Sequence, residues 1–556
     1  MVGILIPILI VGATVAISWP LGQYMRWAMD PEQVGANRSR FEQLVRLALG
    51  KHATEKQNWK AYCLSMLCFN VLMFAFVFSV LSLQHLLPLN PDGKDGLEAG
   101  LAFNTAASFT SNTNLQHYSG EVSMSYFSQL FALMWLQFVS AATGIAAVTA
   151  MCRGLAGRAE FGNFYQDVWR STGLILLPMS LVWACCFAGL GMPMTLDGAV
   201  IATTLEGATQ TISRGPVAAF VAIKQLGTNG GGFFGPNCTH PFENPTFWSN
   251  ILANMAIVQI SMGAVWMFGR IIGRPRHAGV VFGVMLSFYA IFIGGAAWFE
   301  SAPSVALAEL PVRESMNLEG KELRFGTTAG AVWAVTTTAT SNGSVNAMHD
   351  SLNPLTGLFP MMGMWLNVIF GGVGVGLINM FLFIITAVFL SGMMVGRTPE
   401  YLTRKVEARE MKLALVALLA HPLFILGGTA VFAATAWGAD ALNNPGSHGF
   451  SEIVYEMSSA AANNGSGFEG LGDNTLPWNI ATGVIMLLAR FVPIIAPLAI
   501  AGSLATKRST PDSAGTFRTD TATFGVVLAG TVLIVGALLF LPLAVLGPIA
   551  EHLSVR

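Results

Sequence analysis

Charge is scarce in this chain. Asp, Glu, Lys and Arg make up only 11% of its 556 residues and apolar residues 53%, against roughly 25% charged residues in a soluble domain. So few charges cannot cover a globular surface, which excludes a soluble protein and leaves an integral membrane protein. The net charge is −1, so no global basic field recruits nucleic acid. Six cysteines (Cys63, Cys68, Cys152, Cys185, Cys186, Cys238) lack metal-site spacing and mostly sit in apolar runs, where a thiol behaves as a small hydrophobe. The chain also lacks a Walker A pattern and the DKTG aspartyl-phosphate signature, so it carries no recognisable nucleotide site. Histidines are scattered singly, with none spaced for a metal cluster.

What is abundant is long apolar runs. Stretches of the roughly 20 residues needed to span a bilayer fall at 2–20, 61–83, 126–151, 172–193, 247–269, 278–298, 367–395, 412–437, 477–503 and 523–547. The first resembles a signal peptide, but no Lys or Arg precedes it and no small-residue cleavage site follows, so it is expected to remain as a span. None of the ten contains Asp or Glu, which disfavours a self-contained symporter coupled to protons or sodium. The connections on one side hold 21 Lys and Arg and those on the other only seven. The positive-inside rule makes the first set cytoplasmic and both termini external.

Four polar loops interrupt this apolar pattern: Ser111-Asn112-Thr113, Thr228-Asn229-Gly230, Ser341-Asn342-Gly343 and Asn463-Asn464-Gly465. Their asparagines Asn112, Asn229, Asn342 and Asn464 are 117, 113 and 122 positions apart, the mark of one unit copied four times. A lone Asn-Gly is an ordinary turn. Four in register, all toward the outer side, each after a short segment (LEAGLAFNTAASF, GPVAAFVAIKQL, TTAGAVWAVTTTA, SEIVYEMSSAAA), predict four half-helices. Pro216 suits a first turn and Ser451 a cap. Non-helical backbone at membrane depth requires protein or water around it. The expected fold is therefore all-α, with about ten transmembrane helices and four helix, pore-loop, helix repeats around a pseudo-four-fold pore. The loops hold no carboxylate, so a cation meets backbone carbonyl, amide and hydroxyl oxygens, a set suited to a dehydrated monovalent ion, and potassium is the natural candidate. Gly230, Gly231 and Gly232 allow carbonyls to turn inward. The expected units are 1–60 (first helix and cytoplasmic loop), 61–152, 153–272, 273–396 and 397–503 (pore repeats), and 504–556 (linker and final helix).

The stretches TSNTNLQHYSGE (Thr110 to Glu121), GTNGGGFFGPN (Gly227 to Asn237), HPFENPT (His240 to Thr246), NLEGKELRFG (Asn317 to Gly326), FGGVGVGL (Phe370 to Leu377), GRTPEYL (Gly396 to Leu402), NPGSHGFSE (Asn444 to Glu452) and NNGSGFEGL (Asn463 to Leu471) closely resemble the potassium-binding A subunit family (KdpA) of the Kdp potassium-transporting ATPase. The resemblance covers nearly the whole chain. It implies the potassium-transporter superfamily fold, with potassium near Asn112, Thr228, Asn342 and Asn464 and with Gln116 and Gly230 lining the entrance and filter. The expected potassium set is Ser111, Asn112, Thr113, Asn114, Gln116, Thr228, Asn229, Gly230, Gly231, Ser341, Asn342, Gly343, Asn463, Asn464 and Gly465. The third loop departs from the family in having Asn342 where cysteine is frequent. The resemblance also implies a multi-pass bacterial inner-membrane subunit that selects potassium without hydrolysing ATP. The implied partners are a P-type ATPase catalytic subunit (B), a C subunit and a small F subunit, besides membrane lipid. An autonomous potassium channel or symporter, and a purely structural scaffold for the pump, are the alternatives.

Arg490 is the one charge deep in an expected span. A guanidinium there faces a cavity or a partner. It is either a structural group satisfied by loop carbonyls or a positive barrier below the filter, and the barrier is preferred because four pore loops without one make a leaky channel. Gly371, Gly372, Gly374 and Gly376 fail the G-x-G-x-x-G pattern at Leu377 and are expected to pack helices or form a hinge. In RTPEYLTRKVEAREMK, Thr398 and Pro399 predict a short cytoplasmic helix, either solvated or docking a catalytic subunit.

Overall fold

The computed structural model describes residues 2–31, 39–50, 55–304, 316–509 and 517–554. Arg38, Lys51, Arg313 and Arg556, used to orient the chain, and Pro511 and Gly515 of the expected linker lie outside them. Among the described residues ten helices are long and apolar enough to cross a membrane: Ile6–Met29, Trp59–Leu86, Ser128–Leu155, Phe164–Gly189, Phe247–Ile271, Pro275–Glu300, Val375–Met394, Ala408–Ala433, Leu476–Thr506 and Ala522–Ser554. Each corresponds to an expected span. Several run further, and the extensions carry carboxylates the expected spans lacked. Each is paired: Asp167 with Arg153 at 2.6 Å, Glu300 with Lys321 at 2.7 Å, Glu410 with Lys507 at 2.8 Å and Glu551 with His448 at 2.8 Å. Pairing is what lets these groups sit at helix ends without an uncompensated charge.

The fifth and seventh spans are each 83% buried over their most apolar stretch, against 22% for the fourth, so the former build the interior and the latter faces outward. The first span packs on the fifth: Gly22 lies against Trp266, whose Nε1 donates to Ser18 Oγ at 3.0 Å. Four short helices, Ala99–Thr110, Val217–Leu226, Gly326–Ala339 and Gly446–Ala462, occupy the places expected for the half-helices. Ser451 does not cap the last of them. That helix begins five residues earlier and Ser451 Oγ donates within it to Ser447 O.

Two expectations are overturned. The apolar stretch 367–395 is not one helix: a helix Pro354–Leu366 precedes it and residues 367–374 are irregular before the helix Val375–Met394 begins. Left-handed backbone at Asn367, Phe370, Gly371 and Gly374 breaks the helical hydrogen-bond ladder. So the glycines unwind the chain, while Gly374 also lets it pack closely on Gly144 of the third span. Second, Thr398 and Pro399 start no helix. Glu400–Tyr401 pairs antiparallel with Arg404–Lys405 around a turn with Leu402 and Thr403 at positive φ, and the helix starts at Ala408 with a Glu407/Glu410 capping box. Tertiary anchors outweigh local preference here: the Tyr401 hydroxyl lies 3.0 Å from His277 Nε2 and Arg404 donates to Leu155 O.

Candidate functional site

Each pore helix ends by turning its last carbonyls into a loop, and the four turns are near copies. The backbone N–H groups of Thr113, Asn229, Asn342 and Asn464 donate to the carbonyls of Ser108, Lys224, Thr337 and Ser459 at 2.9, 2.9, 2.8 and 2.9 Å. The preceding residues Asn112, Thr228, Ser341 and Asn463 all have φ between +48° and +64°. The following ones, Asn114, Gly230, Gly343 and Gly465, are again left-handed, at +56° to +102°. Backbone equivalence therefore places Thr113, not Asn112, opposite the other three asparagines. The first loop is one residue out of the register its side chains suggest, and Ser111 is the cap of the preceding helix.

Three glycines lock the loops into a ring. A Cβ on Gly230 would overlap the carbonyl oxygen of Asn342, one on Gly343 that of Asn464, and one on Gly465 that of Thr113. The contacts run from second loop to third to fourth to first. The asparagines reinforce them: Asn342 Nδ2 donates to Lys224 O at 3.1 Å, Asn464 Nδ2 to Thr337 O at 2.9 Å, and Asn229 Nδ2 to Asn112 Oδ1 at 2.6 Å. With these amides committed to neighbouring loops, the polar groups left for an ion are chiefly backbone carbonyls. Asn229 Oδ1, a buried acceptor with no hydrogen-bond partner in the described structure, lies against Gly227.

Gln116 clamps the first loop to the second. Its Oε1 accepts from Gly232 N at 2.7 Å and its Nε2 donates to Gly232 O at 3.0 Å. Gly231 packs beside Asn114. Behind the second loop, Lys224 is fully buried and paired with Glu243, and it donates to Asn237 Oδ1 at 2.7 Å. Asn237 Nδ2 in turn donates to Gly230 O at 2.6 Å. Sequence reading missed this brace because Lys224 looked like an ordinary connection cation.

Outside the loops lies a cavity of about 610 Å³, lined by Gln116, His117, Gly343 and Gly465 together with Glu456, Glu469 and Asp473, and by no Lys or Arg among the described residues. Beneath the loops runs the irregular stretch 367–374. Val373 N donates to Thr228 Oγ1 at 2.9 Å, and Ser341 Oγ donates to Asn367 Oδ1 at 2.9 Å. Gly374 packs on the backbone of Gly144. Arg490, 3% exposed, reaches the same place: its Nη2 donates to Ser140 O at 3.2 Å, and no ion pair to it exists among the described residues.

At the cavity wall a histidine that stands alone in the sequence meets two carboxylates. His117 Nε2 lies 3.2 Å from Glu456 Oε1 and 3.8 Å from Asp473 Oδ2. His117 and Glu456 are 339 positions apart, so no spacing could announce them. Burial disfavours charge on the imidazole, but Asp473 and Glu456 outweigh it and push its pKa up to about 9.

The family model for the potassium-transporting ATPase A subunit (KdpA) matches residues 8–553. The chain belongs to that family. Among KdpA relatives, the potassium-transporting ATPase potassium-binding subunit of Geobacillus kaustophilus is 46% identical over 546 residues, covering 98% of this chain and 97% of its own length. The crystal structure of the potassium transporter TrkH from Vibrio parahaemolyticus shares the fold with a TM-score of 0.53 at 12% identity, over 86% of this chain and 97% of that one. This KdpA chain is thus a potassium-binding subunit of a potassium-transporting ATPase, built on a potassium-transporter fold.

Proposed function

We propose that this chain selects potassium from the outer side and moves it across the bacterial inner membrane as the translocating subunit of an ATP-driven uptake pump. The four-fold repeated loop backbone carries the reading. Left-handed residues before and after Thr113, Asn229, Asn342 and Asn464 repeat one backbone turn four times, and carbonyls turned inward from such loops would replace the hydration shell of a monovalent cation. Potassium enters through the outer cavity, whose carboxyl groups outnumber its one imidazole. It sheds water at the ring formed by the four loops, from Ser111 to Asn114, Thr228 to Gly231, Ser341 to Gly343 and Asn463 to Gly465.

Below the ring, residues 367–374 and Arg490 close the direct path, so the ion leaves sideways toward a partner. A guanidinium beside the pathway repels a cation by about 4 kcal/mol at roughly 4 Å and an effective dielectric of 20. ATP hydrolysis belongs to a P-type ATPase catalytic subunit (B), accompanied by C and F subunits, because this chain carries neither a Walker A nor a DKTG sequence.

The test is to purify the chain alone and with its membrane partners. Potassium-stimulated ATP hydrolysis is expected only in the complex, with potassium binding in both. Potassium flux through the isolated wild-type chain would instead make it an autonomous channel.

A further inference from the structure

His117 lies one position after Gln116, at the mouth of the filter, and its two ring nitrogens are treated differently. Nδ1 faces Asn479 Oδ1 at 2.7 Å, while Asn479 Nδ2 donates to Asn474 Oδ1 at 3.1 Å. With its amide nitrogen so committed, Asn479 presents only an acceptor to the ring, which fixes the proton on Nδ1. Nε2 then points between Glu456 Oε1 and Asp473 Oδ2, and the three ligand atoms all lie within 4.8 Å of one another. Two carboxylate oxygens facing one ring nitrogen favour a positive charge there, carried by the imidazolium proton or by a metal ion that replaces it.

We propose that His117, Glu456 and Asp473 form a binding site for a divalent transition-metal ion of the zinc class in the outer cavity, through which external metal inhibits potassium uptake. The geometry suits such an ion. Tetrahedral zinc with bonds of about 2.1 Å separates its ligand atoms by roughly 3.4 Å, and the two separations from Nε2, 3.2 and 3.8 Å, bracket that value. Catalytic zinc sites use three protein ligands and keep a fourth position for water; His117, Glu456 and Asp473 likewise supply three, with a carboxylate in place of one imidazole of the His2Glu sites. Here the half-buried Asp473 opens that position to the cavity. Asn479 supplies the outer hydrogen bond that orients a metal-bound histidine. Metal binding displaces the second imidazole proton to solvent.

The other histidine cluster differs. His448 has both nitrogens directed at carboxylates, Asp350 at 2.8 Å and Glu551 at 2.8 Å, with Glu452 beside them, so a metal there would have to break one of two ion pairs that hold separate segments together.

A metal in the triad places a dication beside the filter entrance. The binding claim stands on geometry alone; only the inhibition rests on the potassium reading. The experiment is calorimetric titration of the purified full chain with zinc chloride, paired with potassium uptake by the reconstituted complex with zinc outside. Wild type is expected to bind one zinc per chain and to lose uptake as that site fills. Asp473→Asn and Glu456→Gln should each weaken zinc binding by at least about tenfold and relieve inhibition, and Asn479→Ala should weaken it about 10- to 100-fold. His448→Ala should leave it unchanged. Potassium binding is measured on every variant, so that one that fails to fold is recognised and the isosteric Asp473→Asn decides. The proposal is overturned if wild type binds no stoichiometric zinc, if binding survives Asp473→Asn, or if it disappears with His448→Ala. Zinc bound without inhibition would leave the site and overturn its control of uptake.

Discussion

At the scale of single residues, the proposed filter depends on atoms that are absent. Gly230 has φ +79° and no room for a Cβ against Asn342 O. Gly230→Asp therefore adds left-handed strain of about 1–2 kcal/mol, a steric clash and a charge at once. Potassium affinity should fall while sodium competes more effectively in equilibrium binding; a folded mutant with wild-type selectivity would remove Gly230 from the filter. Arg490 makes the opposite kind of prediction, since here a charge is present and its removal is informative. Arg490→Met keeps the side-chain length and abolishes the repulsion. Because each 1.4 kcal/mol is a factor of about ten in rate, even a fraction of a barrier of about 4 kcal/mol multiplies passive flux. The mutant chain should leak potassium into liposomes without ATP while binding it normally. If flux stays at the wild-type level, the arginine is structural and its bond to Ser140 O is its purpose.

At the scale of elements, the loop 367–374 hangs from the filter by Thr228 Oγ1. Thr228→Val preserves shape but strands the buried Val373 N–H, at a cost of about 1–3 kcal/mol. It should loosen the loop and raise ATP-independent flux; a well-folded variant with unaltered flux would mean that the loop closes nothing. The spans and pore helices were legible in the sequence, since both follow from the length of apolar runs and from the small polar residues that interrupt them. This loop was not. Its composition is as apolar as a span, and hydropathy cannot register that Asn367, Phe370, Gly371 and Gly374 have left the right-handed region. The first pore loop misled for a related reason. Asn112 and Asn229 share a side chain, whereas Thr113 and Asn229 share a backbone hydrogen bond, and it is the backbone that repeats. The Tyr401 hairpin and the His117 triad depend on partners more than a hundred residues away, which no local pattern encodes.

At the scale of the whole molecule, the charge asymmetry of the connections predicts orientation. Glu206, in the exposed turn of the hairpin Val200–Ile212, belongs outside, and Arg508, just past the ninth span, belongs in the cytoplasm. In a cysteine-free background, Glu206→Cys should react with an impermeant maleimide on intact cells, and Arg508→Cys only after permeabilisation. The reverse pattern would turn the molecule over and place the acidic cavity on the wrong side for uptake.

The ring of loops also determines how the opening can change. Gly230 abuts the third loop, Gly343 the fourth and Gly465 the first, while Asn342 and Asn464 tie each of their loops back to its predecessor. Such an assembly behaves like a hoop: its bore is fixed by its circumference, and no segment moves outward without stretching the joints on either side. Accommodating an ion of another size then requires all four segments to move together or one joint to break. Discrimination becomes a property of the perimeter, and lesions at separate joints should combine non-additively in their effect on ion choice.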